Sequence, residues 1–350
     1  MQAHTTVNPV LVELTRGGIV ESFHRGAIAV VDADGTMHTA LGDVDRPIFP
    51  RSAVKVLQAL PLVESGAADR FGLVDEELAL ACASHGGEAI HTAVAASMLG
   101  KAGLDVGALE CGAHWPYHDE ALKALAAAGG RPTALHNNCS GKHAGFVCLG
   151  CQIADVEPRG FLRGYVQHDH PVMREVSAAL QATTDHELTD TARGTDGCSI
   201  PTYAIPLRKL ALAFARVATG VGLRPGHAQA ARRLRAAVAR APQMVCTSGR
   251  LDGRVMAHFG ERVFCKVGAE GVYCAALPEL GLGIALKMDD GNNARACEVA
   301  LAAALAALLP MDDADAAVLH PLADASLTNW NGLEVGRLRA VRLEWGAHPH

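Results

Sequence analysis

The apolar positions of the chain change their spacing near residue 50, and this change separates two kinds of predicted structure. Before it, the short apolar runs 10–14 and 26–31 are rich in β-branched residues and are typical of strands. The segment 32–35, Asp-Ala-Asp-Gly, has the composition of a hairpin turn. After residue 50, the apolar residues between Ala53 and Val63 recur at the three- and four-residue spacing of an amphipathic helix.

Helical spacing continues through the middle of the chain and gives way to strands near its end. The pattern predicts helices over residues 75–83, 89–99, 119–128, 171–183, 207–219 and 227–240. Residues 133–145 show no periodicity, so they predict a loop that leads into the apolar run 146–153. The segments 262–267, 271–276 and 283–287 predict an antiparallel meander, and a long helix is expected from about residue 293 to 309.

Strands at both ends of the chain with helices between them predict an α+β fold. We expect one mixed sheet formed by both chain ends, in which the strand-rich residues 8–48 and 260–290 join. The region 52–241 is then a helical insertion that packs on this sheet. The sequence contains no internal repeat and no low-complexity linker, so residues 1–350 are expected to form a single domain.

Composition excludes several classes of protein. Of the 350 residues, 49% are hydrophobic and 19% are charged, which excludes a disordered chain. The net charge of −6 and the lack of a basic block argue against nucleic-acid binding. The apolar runs are shorter than a membrane span needs, and the first 18 residues show no signal-peptide pattern, so a cytoplasmic location is expected. The ten cysteines are then expected to be thiols or metal ligands.

The most specific short pattern is Ser52-Ala-Val-Lys55, at the start of a predicted helix. Residues three apart lie on one face of a helix, so the hydroxyl and the amine can meet. A serine becomes a nucleophile when a base takes its proton, and a lysine whose pKa is lowered by burial can be that base. Taken alone, the pattern more often marks a helix-capping serine beside a solvated lysine.

Two further segments extend this pattern. Ser84-His85-Gly86 follows a predicted helix, and Lys266-Val-Gly268 lies on the first strand of the predicted meander. Serine β-lactamases and penicillin-binding proteins combine a Ser-x-x-Lys helix with a second serine element and a Lys-Thr-Gly strand. The three segments of this chain follow the same order, which favours a serine–lysine hydrolase over three unrelated features.

Two polar segments contain cysteines together with other groups able to bind metal. One segment holds Cys139 and Lys142, and the other holds Asp196 and Cys198. Thiolates with a nitrogen donor suit Zn²⁺, although the spacing alone favours ordinary loop thiols over a metal site. The Cys-x-x-Cys pair, 148 and 151, lies in an apolar run and is predicted to be core, as are five others: Cys82, Cys111, Cys265, Cys274 and Cys297. Cys246 is left undecided between core and loop.

Taken together, these segments resemble the Rhizobium etli-type L-asparaginases, also called class 3. The resemblance runs from about residue 8 to 332 and is carried by five motifs in order: 50–55 (PRSAVK), 83–88 (ASHGGE), 136–143 (HNNCSGKH), 195–199 (TDGCS) and 265–271 (CKVGAEG). It implies a fold like that of the serine β-lactamases and penicillin-binding proteins, a homodimer, and hydrolysis of L-asparagine to L-aspartate and ammonia.

The resemblance also implies roles for individual residues. The catalytic pairs would be Ser52 with Lys55 and Ser84 with Lys266. A Zn²⁺ site would be formed by Cys139, Lys142, Cys198 and water, with Arg51, His143 and Asp196 as substrate-binding positions. Three alternatives stay open: a glutaminase, a penicillin-interacting or esterase-type Ser–Lys enzyme, and a non-enzymatic thiol protein that binds metal. No residue in the sequence reads the one-methylene difference between asparagine and glutamine.

Overall fold

The computed structural model describes residues 7–154 and 157–342. The signal-peptide prediction concerned residues 1–18, and the first six of these lie outside the described residues. The chain divides into two compact units. Unit 1 takes the described parts of 1–53, 205–218 and 265–350, and unit 2 takes those of 54–204 and 219–264. In the described ranges, no helix is both long and apolar enough to cross a membrane.

The strands are numbered along the chain: β1 (Val10–Arg16), β2 (Ile19–Asp32), β3 (Met37–Leu41), β4 (Pro47–Ile48), β5 (Arg193–Thr195), β6 (Pro201–Tyr203), β7 (Ile205–Pro206), β8 (Phe264–Val267), β9 (Val272–Leu277), β10 (Leu282–Met288), β11 (Asp324–Thr328) and β12 (Glu334–Ala340).

The α-helices are numbered in the same way: α1 (Lys55–Gln58), α2 (Leu60–Glu64), α3 (Ala67–Arg70), α4 (Asp75–Ala81), α5 (Ala89–Lys101), α6 (Asp119–Ala127), α7 (Ser140–Ile153), α8 (Pro158–Phe161), α9 (Pro171–Thr184), α10 (Leu207–Thr219), α11 (Pro225–Arg240), α12 (Leu251–Phe259), α13 (Glu298–Leu308) and α14 (Asp313–Ala323). A 3-10 helix, Arg51–Val54, leads directly into α1, and a π-helical turn, Asn293–Cys297, leads into α13.

Unit 1 is built on a sheet with strand order β11-β12-β1-β2-β10-β9-β8, with β3 also paired to β2. The long strand β2 pairs with β1 through its first half and with β10 through its second half, so the sheet curls along it. The halves meet near Gly26, where a Cβ would lie 2.5 Å from the Lys287 carbonyl oxygen. The α+β class is confirmed.

The prediction of a mixed sheet is wrong, because the strand pairs of this sheet are antiparallel. The physical reason is that most neighbouring strands are joined by short connections. Short turns join β1 to β2, β2 to β3, β8 to β9, β9 to β10 and β11 to β12, and a short turn returns the chain in the opposite direction. Helix α10 lies against β10, where a Cβ on Gly283 would overlap the Ala211 backbone.

Unit 2 is mainly helical and is organised around α7. This helix contacts α2, α4, α5 and α9, and residues 140–151 are all buried. A helix surrounded on every side has no polar face and hence no periodic pattern. That is why the prediction of a loop over 133–145 is wrong from Ser140 onward.

Two other regions differ from the predictions. The single helix expected over 53–63 is divided into the 3-10 helix, α1 and α2, and Pro61 stands at the start of α2. The sequence pattern did not predict α14 or the hairpin β11–β12, which follow the helix expected at 293–309. These strands alternate half-buried and exposed positions over only five to seven residues, which is a weak signal in the sequence.

Candidate active site

Ser52 and Lys266, from two of the predicted motifs, belong to unit 1. Ser52 is half-buried in the 3-10 helix, and Lys266 is fully buried on β8. Just beyond Lys266, a Cβ on Gly268 would lie 2.5 Å from the Pro50 carbonyl oxygen and 3.3 Å from the Ala53 Cβ. Glycine therefore lets the end of β8 approach the segment that carries Ser52.

Backbone strain accompanies these motifs. Arg51, immediately before Ser52, has a φ of +52°, and Glu270 in the β8–β9 turn has a φ of +60°. Ser199, which follows Cys198, has a φ of +76°. Positive φ is unfavourable for residues with a Cβ and is often retained at functional sites. The strain therefore supports the view that these three turns carry function.

Unit 2 brings Lys55 and Ser84 together. The Lys55 side chain is 1% exposed, and its Nζ donates to the Ser84 Oγ at 2.9 Å and to the Ala83 carbonyl oxygen. Ser84 is held in turn by its N–H, which donates to the Val245 carbonyl oxygen at 2.8 Å. The sequence paired Lys55 with Ser52, so this contact with the second serine adds a partner that spacing did not predict.

Burial lowers the pKa of Lys55, although the sulfur charges of Cys139 and Cys198 partly oppose this effect. A lysine with a lowered pKa holds its proton less tightly and can accept one from a hydroxyl nearby. The environment of Lys55 therefore suits a general base, as the sequence predicted from burial.

Cys139, Lys142 and Cys198 converge within unit 2. Cys139 stands immediately before α7, and Lys142 lies in its first turn. Cys198 lies in the loop of the β5–β6 hairpin, and the Lys142 Nζ is 3.1 Å from its sulfur. All three side chains are at least 95% buried. The structure thus joins two segments that are 56 residues apart.

The two thiols share a proton. A hydrogen bond with Cys198 and the charges of Lys55 and Lys142 hold the pKa of Cys139 well below its usual range. The same hydrogen bond, together with burial, raises the pKa of Cys198. Burial alone would lower the pKa of Lys142, but the charges of Cys198, Cys139 and Asp196 outweigh it and raise that pKa. These shifts favour a thiolate at Cys139 and an ammonium at Lys142.

This donor set fits a zinc ion chemically. Two cysteine sulfurs and one amine are donors that Zn²⁺ accepts, and a cation would replace the protons that they now share. In the described residues, no group of three or more His, Cys, Asp or Glu side chains is arranged to hold a metal. A zinc site here would thus need Lys142 as its third protein ligand.

Asp196 and His143 flank the same group. Asp196 starts the hairpin loop, and its Oδ1 accepts the Gly197 N–H at 2.7 Å. His143 is fully buried on α7, where burial and the charges of Lys142 and Lys55 hold its pKa well below the usual range. In unit 2, the Asp196 charge thus acts to raise the pKa of Lys142, and the Lys142 charge acts to lower that of His143.

Two residues that sequence reasoning assigned no role complete the cluster. The His85 ring accepts the Gly87 N–H at Nδ1 and lies 2.9 Å from the Ser140 Oγ at Nε2, which ties the Ser84 loop to the start of α7. The Tyr165 hydroxyl lies 2.6 Å from the His143 Nδ1. A buried tyrosine 22 positions away leaves no periodic or motif signal that could have predicted this contact.

The remaining cysteines are consistent with core packing. Cys148 and Cys151 are buried, and burial raises the pKa of both, to about 12 for Cys148. Cys246, left undecided from the sequence, is buried and forms a backbone bridge with Ser84. The ten thiols are free of disulfides.

Comparison with known proteins gives a family. A family model described as L-asparaginase II matches residues 12–340. Among solved structures, Mglu in its native form is 19% identical with a TM-score of 0.36, over 87% of this chain and 70% of that chain. Mglu in its native form in the presence of 4.3 M NaCl is 18% identical with a TM-score of 0.34, and the match covers 87% of this chain and 66% of that chain.

The chain thus spans about two thirds of the length of the Mglu chains. No curated protein matches it by sequence. The family match, which extends over nearly the whole chain, confirms the resemblance drawn from the motifs: the chain belongs to the L-asparaginase II family, the family of the Rhizobium etli-type asparaginases.

Proposed function

We propose that this chain is an amidohydrolase, namely an L-asparaginase, which hydrolyses L-asparagine to L-aspartate and ammonia with a Ser–Lys nucleophile beside a zinc site. The observation that carries the proposal is the cluster in unit 2 of the half-buried Ser84 with the buried Lys55, Cys139, Lys142 and Cys198. Family membership supports the hydrolysis of an amide, and the cluster supplies a base, a hydroxyl and metal donors for it.

In the first half of the proposed reaction, the Ser52 Oγ attacks the side-chain amide carbon of asparagine. Lys55 takes the proton of the Ser52 hydroxyl, and the carbonyl oxygen becomes an oxyanion. Backbone N–H groups near Ser52 would stabilise this oxyanion, which is worth about 2.7–4 kcal/mol per donor in other hydrolases. The C–N bond then breaks and leaves an aspartyl ester on Ser52.

Ser84 is proposed as the group that passes a proton to the leaving nitrogen. Its Oγ already accepts a hydrogen bond from the Lys55 Nζ at 2.9 Å, which is a direct route for a proton that Lys55 has taken. Lys266, buried on β8, is proposed to tune Ser84. Water then attacks the ester carbon, releases aspartate and returns the proton to Ser52.

Cys139, Lys142 and Cys198 would hold the zinc ion, with water as the fourth ligand. When bound, the ion would supply positive charge that orders the adjacent loops and the α-amino and α-carboxylate end of the substrate. Arg51, His143 and Asp196 are proposed to bind the same end. The shared proton of the two thiols and the 3.1 Å contact between Lys142 and Cys198 support this donor set.

The architecture and assembly of the family are part of the proposal. We infer a fold related to that of serine β-lactamases and penicillin-binding proteins, a homodimer, and a single functional domain. The antiparallel sheet that takes strands from both chain ends, with helices beside it, supports the first of these. The cytoplasmic location stays a prediction.

The test is ammonia release from L-asparagine and L-glutamine, measured side by side. Each substrate is assayed with the protein as purified, with a zinc chelator, and with zinc restored. The proposal predicts release from asparagine, with glutamine at least about tenfold poorer. Faster release from glutamine would make the enzyme a glutaminase. Turnover of a chromogenic β-lactam without ammonia from either amide would reject the proposal.

A further inference from the structure

The Tyr165 hydroxyl is enclosed by two hydrogen-bond partners in unit 2. The Tyr165 side chain is fully buried, and the hydroxyl oxygen accepts the backbone N–H of Glu110 at 3.0 Å. The same oxygen lies 2.6 Å from the His143 Nδ1. A phenol has one proton to donate, and a buried donor is nearly always paired.

This arrangement determines which nitrogen of His143 carries the proton. In the described residues, the His143 Nδ1 is the one acceptor recorded within hydrogen-bond distance of the Tyr165 hydroxyl, so pairing the buried hydroxyl proton requires that it be donated to Nδ1. Nδ1 is then an acceptor, and the ring proton sits on Nε2. The His143 ring is also held at its edges, since it makes T-shaped contacts with Phe146 and Tyr165 at centroid distances of 5.6 Å each.

The His143 Nε2 is buried and has no hydrogen-bond partner in the residues that the structure describes. A buried N–H that is fixed in orientation and lacks an acceptor is ready to bind one from a ligand. The proposed substrate contains such acceptors in its carboxylate and carbonyl oxygens.

We propose that Tyr165 is a positioning residue, which holds His143 so that its Nε2–H donates to a carboxylate of the bound amino acid. This inference rests on the proposed function for the identity of the ligand, but the proton position of His143 can be tested without it. Tyr165 itself touches neither substrate nor reacting atoms in this scheme.

The first experiment is nitrogen NMR of the full-length protein labelled with ¹⁵N-histidine, with the His143 signals assigned by their loss in His143→Gln. In the wild type, Nδ1 should be the unprotonated, hydrogen-bonded nitrogen, and Nε2 should carry the proton. Addition of L-aspartate should shift the Nε2 signal. In Tyr165→Phe, which keeps the buried ring, the Nδ1 signal should move toward that of a nitrogen without a donor.

The second experiment is kinetic. Loss of one neutral hydrogen bond is worth about 0.5–1.5 kcal/mol, so Tyr165→Phe should raise KM for L-asparagine by about two- to tenfold. Because the reacting atoms keep their partners, kcat should stay within about twofold. Tyr203→Phe is the matched control, since it removes another buried hydroxyl of unit 2, 3.5 Å from the Ser177 Oγ, and should change neither value.

Different outcomes separate the two proposals. If the wild type releases no ammonia from any amide, the proposed function fails, and the position of the His143 proton in the wild type and in Tyr165→Phe still decides the role of Tyr165. A proton on Nδ1 in the wild type would overturn the inference. So would an Nε2 signal that ignores L-aspartate, or a Tyr165→Phe variant with unchanged KM and unchanged His143 signals.

Discussion

Three lysine side chains, Lys55, Lys142 and Lys266, are almost completely shielded from water. Lysine is rarely buried, because removing an ammonium from water costs several kcal/mol unless partners offset the loss. Lys55 meets the Ser84 oxygen, and Lys142 meets the Cys198 sulfur. The two have opposite pKa shifts, lowered for Lys55 and raised for Lys142, because burial dominates at Lys55 and the charges of Cys198, Cys139 and Asp196 dominate at Lys142.

At the residue scale, we predict that removal of either proposed thiolate abolishes zinc binding. Cys139→Ala or Cys198→Ala leaves only one sulfur beside Lys142, too few donors for a tight site. Metal analysis after dialysis against zinc should find about one ion per chain in the wild type and far less than one in both variants.

The matched control for this prediction is Cys148→Ala. Cys148 is a buried cysteine of α7, the helix that Cys139 precedes, but its thiol faces the Met98 carbonyl oxygen at 3.7 Å. This variant should keep its zinc. Full zinc content in Cys139→Ala, or loss of zinc in Cys148→Ala, would contradict the assignment of the ligands.

The sequence could predict which residue types the site uses but not their contacts. Motif spacing identified Ser84 and Lys55, while the hydrogen bond between them depends on how the 3-10 helix and the Ser84 loop fold. The contact of Tyr165 with His143 joins α7 to a loop with no motif. Such pairs are set by tertiary packing, which leaves no local signal in a single sequence.

At the scale of elements, the distance between α4 and α7 sets the position of Ser84 relative to Cys139 and Lys142. Gly141 lies in the first turn of α7, where a Cβ would overlap the Leu80 side chain and backbone. Only a glycine allows the two helices to approach this closely. The residues on either side of Gly141 would move with any displacement of α7.

We therefore predict that Gly141→Ala destabilises the protein by about 1–3 kcal/mol, the usual range for overpacking a buried site. Urea denaturation followed by circular dichroism measures the change. Gly100→Ala is the control: this glycine lies in α5 with open space around it, so alanine should stabilise by about 0.4–1 kcal/mol. Equal stability of the two variants would contradict this reading of the α4–α7 contact.

Buried histidines next to Ser84 make this region sensitive to acid. The His85 and His91 rings stack at a centroid distance of 4.9 Å. Burial holds the pKa of both below the usual value of about 6.5, so both are neutral in the folded state. Below pH 6.5 the unfolded chain binds protons that the folded chain does not, and stability falls as the pH falls.

We predict that His91→Gln reduces this acid sensitivity. Glutamine can keep a donor toward the Gln243 carbonyl oxygen, which His91 contacts through Nε2 at 3.0 Å, but it does not titrate. The free energy of unfolding should be measured from pH 7.5 to 5 for both proteins. Over this range it should fall less steeply with falling pH in His91→Gln than in the wild type, by up to about 1.4 kcal/mol per pH unit. The exposed His168→Gln should behave as the wild type, and parallel curves for wild type and His91→Gln would refute the argument.

Whether the sequence could predict an element depended on how much of that element faces water. Helices with one polar face, such as α9, α10 and α11, were predicted within two residues at each end. Helix α7 was missed at its start because it is buried on all sides. The hairpin β11–β12 was missed because its short strands face water on one side and are stabilised by pairing with β1.

At the scale of the whole molecule, unit 1 is assembled from three separate stretches of the chain. Its sheet places the N-terminal strands between β12 and β10, so both termini of the sequence are needed to complete it. The strand pattern at both ends predicted this combination, whereas the order of the strands depends on long-range pairing. Truncation at either end would therefore remove interior or neighbouring strands of one sheet.

We predict a homodimer in solution, as the family resemblance implies. Unit 1 exposes large apolar side chains at Phe23, Trp330 and Leu333, and burial of such side chains favours association. Light scattering coupled to size exclusion should give about twice the chain mass of 36.5 kDa. A mass of one chain that persists as the protein concentration rises would contradict the prediction.

The central claim is that Ser52 is the nucleophile of an asparaginase, and ammonia release by Ser52→Ala tests it most directly. The assay compares the wild type, Ser52→Ala and the control Ser177→Ala, whose hydroxyl lies on α9. The account predicts that Ser52→Ala loses at least about a thousandfold in kcat, as nucleophile removal does in other serine hydrolases, while the control keeps its activity. Ammonia release from L-asparagine at near wild-type kcat by Ser52→Ala would contradict it.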